Sequence, residues 1–202
     1  KLWFQNNGAK NVIDANNGTL TTPQRVSSTN KYALVIGSAH PPNVEGSIKY
    51  LYDATEWMPE NSRLMYVGSI CEDLRGNVGR EINLAKDTEV VFLGLRSDEE
   101  LNKLIASASV ILLPIPYGGG SNLKTAEAIC SGRPIVGTTK SFRGFDSFIG
   151  SRNTVVEDDI DSFKEACFNL MEEKLPTVYR YGHEKLLWSA TLNPFKKYLA
   201  GK

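Results

Sequence analysis

Three consecutive glycines, Gly118, Gly119 and Gly120, are followed closely by Ser121, Asn122, Lys124 and Glu127. Glycine has no Cβ, so its backbone reaches positive φ and lets a ligand approach main-chain amides. If a helix opens just after these glycines, its unpaired N–H groups and the positive end of its dipole favour an anion. Lys124 then stands in the first or second turn, where a cation is mildly unfavourable to the helix but well placed against a phosphate. Glu127 follows about one turn later on roughly the same face. A carboxylate repels phosphate and accepts from sugar hydroxyls, so the pair suits a ribose and its diphosphate. Two other readings compete at this point. The glycines could form a plain flexible turn with an N-cap, leaving Lys124 and Glu127 on a solvated face. The stretch from Gly118 to Thr125 also comes within one residue of the phosphate-loop pattern G-x-x-x-x-G-K-[ST], but Leu123 stands where the second glycine belongs and would obstruct the nest.

The elements that must hold these residues are legible around them. Residues 110 to 113 form an apolar run suited to a strand buried on both faces, and Ile135 and Val136 begin another. Between them Leu123, Ala126, Ile129 and Cys130 recur at helical spacing, and Gly132 with Pro134 supplies the stop. Six such apolar runs, at residues 31 to 36, 63 to 67, 89 to 93, 110 to 113, 134 to 137 and 154 to 157, alternate with helical stretches. That pattern predicts an α/β, doubly wound domain with a mostly parallel six-stranded sheet, whose ligands bind outside the carboxyl ends of the strands.

The loops after Ile36, Leu93 and Leu113 all lie at those ends. Gly37 and Ser38 close the first strand, and a helix is expected from Asn43, as N-cap after two prolines, to about Trp57. Strand, glycine turn and helix N-terminus again suit an anion, and His40 lies within reach of it or merely caps and packs. A helix is expected over residues 74 to 86, with Gly76 and Gly79 as a poor start or kink. Gly94, Leu95 and Arg96 precede Ser97, an N-cap for a helix over residues 98 to 106 with an acidic first turn. Residues 140 to 146 form an irregular, partly aromatic loop along the rim of the same cleft. A last helix runs from Asp159 or Asp161 to about Glu173.

The flanks are less regular. Residues 11 to 14 suggest a short strand, 15 to 18 a turn, and 19 to 30 a polar, extended lead-in. The aromatic-rich stretch from residue 176 onward reads as packing.

Composition narrows the class. The chain has 202 residues with 23 basic and 23 acidic side chains, so a nucleic-acid partner is not expected. Three widely spaced cysteines and two histidines point to reduced thiols in a cytoplasmic setting, with neither a disulfide scaffold nor a metal site. No bound cofactor is called for. No apolar run approaches the roughly 18 residues that span a bilayer.

The stretch from Gly119 to Val136 resembles the donor-binding half of GT-B glycosyltransferases, in particular retaining enzymes similar to family 4. Their signature, E-G-F-G-x-x-x-x-E-A followed by small-Gly-x-Pro-hydrophobic-Val, corresponds to Gly119-Gly120-Ser121-Asn122-Leu123-Lys124-Thr125-Ala126-Glu127-Ala128 and then Ser131-Gly132-Arg133-Pro134-Ile135-Val136. The resemblance implies a Rossmann-like second half of a GT-B fold, with Glu127 on the ribose and Gly119 in place of the glutamate that contacts the donor sugar. It implies that Gly94, Leu95 and Arg96 meet the base. Gly37-Ser38, Pro42-Asn43 and a later glycine recur at the loop after the first strand in similar transferases, though the usual Arg and Lys after this strand are missing, so Lys124 or His40 is expected to compensate.

On this comparison residues 1 to 30 are a lead-in between domains, 31 to 175 bind the nucleotide sugar, and 176 to 202 cross back toward an N-terminal acceptor domain absent from the chain. The expected function is binding a UDP- or GDP-sugar for transfer, with retention, to a saccharide or lipid-linked hydroxyl in polysaccharide or glycoconjugate synthesis, with peripheral association at the inner membrane face. Lys124 is the expected catalytic cation, with the amides of Ser121 and Asn122 around the diphosphate and Leu123 among the substrate-binding residues. The alternatives are a phosphate-loop NTP-binding or phosphoryl-transfer domain, a non-catalytic nucleotide-sugar-binding module, and a sugar-nucleotide epimerase of the same architecture.

Overall fold

The computed structural model describes residues 2–10, 12–13, 18–19, 31–151, 153–173 and 183–201. Its elements in chain order are α1 (Leu2–Asn6), β1 (Tyr32–Ile36), α2 (Pro41–Leu51), α3 (Ala54–Trp57), β2 (Arg63–Val67), α4 (Ile70–Leu74), β3 (Ile82–Asn83) and β4 (Thr88–Phe92). Then come α5 (Asp98–Ser107), β5 (Val110–Leu113), α6 (Leu123–Ser131), β6 (Ile135–Gly137), β7 (Thr154–Val156), α7 (Ile160–Glu172), α8 (Trp188–Thr191) and α9 (Asn193–Ala200).

The described strands form one seven-stranded sheet in the order β3-β4-β2-β1-β5-β6-β7, parallel throughout except where β3 runs antiparallel to β4. Alternate side chains serve opposite faces. Ala33, Val35, Val110 and Leu112 pack with Tyr50, Leu51, Ile70, Phe163 and Cys167 from α2, α4 and α7. Tyr32, Leu34, Ile111 and Leu113 pack with Ile105, Ala126, Ile129 and Cys130 from α5 and α6. With both faces sealed by helices, the strands must be apolar on both sides, which is why they read as unbroken apolar runs.

Caps set the helix limits. Ser97 and Glu100 make a reciprocal capping box on α5, Asp159 accepts from the Ser162 amide at the start of α7, and Gly132 ends α6 in the left-handed conformation at φ 69°.

Four expectations are corrected. The sheet has a seventh strand, because two residues, Ile82 and Asn83, cap the β4 edge. The helix over 74 to 86 does not form: the chain leaves α4 at Leu74 and turns through Gly76 (φ 80°) and Gly79 (φ 75°), conformations that no helix contains. The helix begun after His40 breaks at Asp53, which is left-handed (φ 52°) and accepts the Arg80 amide, so α2 and α3 are separate. Finally, His40 takes the N-cap position rather than Asn43, because prolines lacking an N–H fit the first helical turn, where that donor has no partner.

Val12 and Ile13 carry no strand. The remainder of the expected lead-in strand and turn, residues 11 and 14 to 17, lies outside the described residues, as do 20 to 30 and 174 to 182. Thr19 bridges to Leu187, with its amide donating to the Leu186 carbonyl at 2.8 Å.

One contact fixes the spacing of the helices around the site. A Cβ on Gly46, in the middle of α2, would lie 1.6 Å from the Pro114 carbonyl oxygen just beyond β5. Gly46→Ala gains about 1 kcal/mol of helix propensity and loses more to the clash with rigid backbone, for a net loss of about 2 kcal/mol. The expected readout is a lower urea midpoint with an unchanged slope; an equal or higher midpoint would show that α2 does not lie against Pro114.

Candidate functional site

From β1 the sheet grows one way through β2 to β4 and the other way through β5 to β7, so the chain reverses direction between β1 and β5. Loops leaving two adjacent parallel strands on opposite sides part there and open a crevice at their carboxyl ends. The two lips of that crevice are the Gly37 loop leading into α2 and the Gly118–Gly120 loop leading into α6.

The first lip is held by its own hydrogen bonds. Asn43 donates from Nδ2 to the Ser38 carbonyl at 3.0 Å and to Ser38 Oγ at 3.2 Å, and the Ala39 amide donates to Ser69 Oγ at 3.1 Å. Asn43 therefore braces the turn. The exposed side chain of His40 makes no capping bond. Gly37 donates to the Val67 carbonyl at 2.8 Å, and Gly68 donates to Gly94 O at 2.8 Å, so the loops after β1, β2 and β4 are joined.

On the second lip, Gly118 (φ 134°) and Gly120 (φ 69°) adopt the backbone that requires glycine, and nothing lies within 4 Å of a Cβ built on Gly119 or Gly120. The bend is open rather than packed beneath other atoms. Asn122 is buried at the N-cap position of α6, with Nδ2 3.5 Å from the Ser141 carbonyl. Thr125 is fully buried and donates from Oγ1 to the same carbonyl at 2.6 Å. That hydroxyl is committed to holding α6 against the turn Thr139–Phe142, so it is not presented to a metal-bound phosphate as the phosphate-loop reading requires. Across the crevice mouth Tyr117 donates to the Glu45 carboxylate on α2, and the carboxylate pushes the phenol up.

Lys124 and Glu127 open onto different compartments on either side of α6. Lys124 lines a small cavity with Val35, Asn43, Ser47, Leu112 and Pro114, in the crevice itself. Burial brings its ammonium down to about 8, with Glu127 pulling in the opposite direction, and among the described residues it has no hydrogen bond or ion pair. Ser47 Oγ, fully buried on the same wall, and the Tyr66 hydroxyl beside it also lack a completed hydrogen bond.

Glu127 instead lines a cleft of roughly 330 Å³ with Thr19, Asp98, Leu101, Leu123 and Trp188. Burial raises its carboxyl, Lys124 lowers it and Asp98 raises it further.

The third loop lies two strands away at the end of β4. Leu95 is 78% exposed, and exposed Arg96 donates to the Leu95 carbonyl. Gly37, Ser38, Asn43 and Lys124 thus converge on the crevice, with Gly119, Gly120 and Ser121 at its rim. Leu95 and Arg96 stand apart, and half-exposed Leu123 lines the cleft with Glu127.

Ser47, Asp98, Trp188 and Arg143 are additional residues of the site. Ser47 follows Asn43 by one helical turn, a spacing that marks a shared face. Arg143 lies in the rim loop, where no periodicity singles it out.

Solved structures share this fold at low sequence identity. HepE of Anabaena, in complex with UDP-glucose, aligns with a TM-score of 0.66 and 16% identity over 86% of this chain and 50% of its own. A TarM mutant of S. aureus, in complex with UDP and other ligands, gives a TM-score of 0.66 and 16% identity over 97% of this chain and 41% of its own. The pneumococcal O-GlcNAc transferase GtfA, in complex with UDP and GlcNAc, gives a TM-score of 0.60 and 18% identity over 93% and 38%. The chain therefore spans half or less of these proteins, and its fold is that of a GT-B C-terminal domain. No curated protein sequence matches it. The sequence profile of the glycosyl transferases group 1 covers residues 30–173, which include every strand of the sheet and both lips of the crevice, and the chain belongs to that family.

Proposed function

We propose that this chain is the donor-binding part of a retaining glycosyltransferase, with the diphosphate of a UDP-sugar resting on the amides of Ser121, Asn122 and Leu123 beside Lys124. The observation that carries the reading is the Lys124 ammonium, partly buried in the β1/β5 crevice and without a counter-charge at bonding distance among the described residues. A desolvated ammonium costs free energy unless an anion arrives to meet it. UDP in HepE, TarM and GtfA favours uridine as the base.

The proposed chemistry is a matter of charge. The bond between the anomeric carbon and the diphosphate oxygen breaks with its electron pair left on oxygen. The acceptor oxygen bonds to that carbon, and its proton is released. Negative charge grows on the leaving diphosphate, and Lys124 with the amides at the α6 N-terminus stabilises it more than it stabilises the intact donor. The reading calls for no metal ion, so a chelator leaves UDP affinity unchanged. Glu127 accepts from the ribose hydroxyls, and the loop from Gly94 to Arg96 covers the base. The acceptor, a saccharide or lipid-linked hydroxyl, comes from the half of a GT-B fold that these residues do not span. The buried Thr125 hydroxyl argues against the phosphate-loop alternative.

Calorimetric titration with UDP, GDP, ADP and their sugars tests the assignment. Lys124→Ala is expected to lose at least tenfold in UDP affinity, the scale of one charge-assisted hydrogen bond. Undiminished binding would remove Lys124 from its role. Glu127→Ala is expected to lose a similar factor for UDP but little for 2′-deoxy-UDP, and equal losses for both would place Glu127 elsewhere.

The depressed lysine also gives a pH dependence. Its ammonium is present below pH 8 and lost above it, so UDP affinity falls by about tenfold from pH 7 to pH 9. Binding takes up protons near pH 8, seen as an enthalpy that varies with the buffer, and both effects vanish in Lys124→Ala.

Stability moves the opposite way. The folded lysine holds its proton less tightly than the unfolded one, so its destabilising contribution is full below about pH 8 and fades toward the ordinary lysine range. Lys124→Met is therefore expected to raise the melting temperature at pH 7 while weakening UDP binding at least tenfold. A lower melting temperature would show that the ammonium is satisfied in the unliganded fold.

A further inference from the structure

The rim loop after β6 sends one cation back onto the glycine bend. Arg143 follows the turn Thr139–Phe142 and sits between Phe142 and Phe145, which are both buried and anchor the backbone on either side. From there its Nε donates to the Gly120 carbonyl at 2.6 Å and its Nη1 to the Lys140 carbonyl at 2.6 Å. Nη2 lies 3.1 Å from where a Cβ on Gly118 would be, so that glycine leaves the space the guanidinium occupies. The same loop touches the bend a second time, since a Cβ on Gly144 would lie 3.0 Å from Ser121 Cβ.

A guanidinium carries five N–H donors. Two of these are spent on carbonyls, and among the described residues no carboxylate pairs with Arg143. The remaining three are on Nη1 and Nη2, and Nη2 is turned toward the first glycine. Pinning by two backbone bonds fixes the side chain before any ligand arrives, so little rotamer entropy is left to lose on binding. The result is a pre-ordered cation without a counter-ion, beside an open bend that leads into a helix N-terminus.

We propose that Arg143 is a second anion-binding residue of the site, donating from its free N–H groups to the donor's diphosphate opposite Lys124. This rests on the donor-binding reading above and adds a residue to it. Lys124 approaches from the crevice under the first turn of α6, and Arg143 approaches from the rim over the glycines. The diphosphate is thus held between two cations, one from the first turn of α6 and one already in place on the rim loop.

The experiment compares UDP, UMP and uridine binding to the wild-type chain, Lys124→Ala, Arg143→Gln and Arg143→Lys by calorimetry at several salt concentrations. Arg143→Gln is expected to weaken UDP at least tenfold, UMP less and uridine not at all, with a shallower dependence of log affinity on log salt. Arg143→Lys keeps the charge without the fork, so it retains the wild-type salt dependence at intermediate affinity. A purely structural role would weaken uridine and UDP alike and leave the salt dependence unchanged in both variants, which would overturn the proposal. If Arg143→Gln does not fold, Arg143→Lys decides, because a wild-type affinity for UDP would show that the fork makes no contact. UDP binding lost in Lys124→Ala but intact in Arg143→Gln overturns this inference alone, whereas a wild-type chain that binds no nucleoside diphosphate overturns the donor-binding reading with it.

Discussion

The approach of α2 to the segment leaving β5, backbone against backbone at Gly46 and Pro114, is the constraint on which the site depends. A helix normally stands off its neighbour by the length of its side chains. Here it does not, so the N-terminal turns of α2 and α6 close on the two sides of one crevice. The small cavity between them is lined by Val35, Leu112 and Pro114 together with Asn43, Ser47 and Lys124. An ammonium in so narrow a space is stripped of water by walls that cannot retreat. The lowered proton affinity of Lys124 is thus a consequence of packing several residues away.

The two lips are stabilised in different ways. The loops after β1, β2 and β4 are tied to one another through main-chain hydrogen bonds, with Cys71 adding a thiol that accepts from the Gly94 amide and donates to the Tyr66 carbonyl. The glycine bend is held from outside, by Arg143 on Gly120 and by the buried Thr138 hydroxyl donating to the Ile115 carbonyl. One side is a network of backbone amides, and the other is a glycine bend fastened by side chains from the loop after β6.

Much of this was readable from residue types. Parallel strands sealed on both faces are apolar along their length, so six of the seven appear as runs such as residues 110 to 113. Serine and glutamate three residues apart announced α5, and Gly132 before Pro134 announced the end of α6. The seventh strand was not readable because two residues carry no periodicity, and an exposed Leu84 beside it mimicked part of a helical stripe. The break between α2 and α3 turns on an aspartate at positive φ, a conformation that glycine would have signalled and aspartate does not.

Around the crevice, Lys124 and Glu127 were singled out by their spacing, while their separation into two compartments depends on where α5 and the Thr19 segment lie. Arg143 has no signature at all, because its role comes from a fold that brings residue 143 back to residue 120.

The bonding of the Gly37, Gly68 and Gly94 loops has a bearing on how such a domain can diverge. A Cβ on Gly68 would lie 2.0 Å from the Gly37 carbonyl oxygen, so neither backbone has slack to take a new path without dislodging the other. Change at the third loop is therefore confined to exchanging side chains such as Leu95 and Arg96 on a fixed main chain. Lengthening or reshaping that loop would disturb the turn that Asn43 braces two strands away. Among the described residues the rim loop makes no such bond to those three loops, so insertions beyond Phe145 can accumulate there while Arg143 keeps its hold on Gly120.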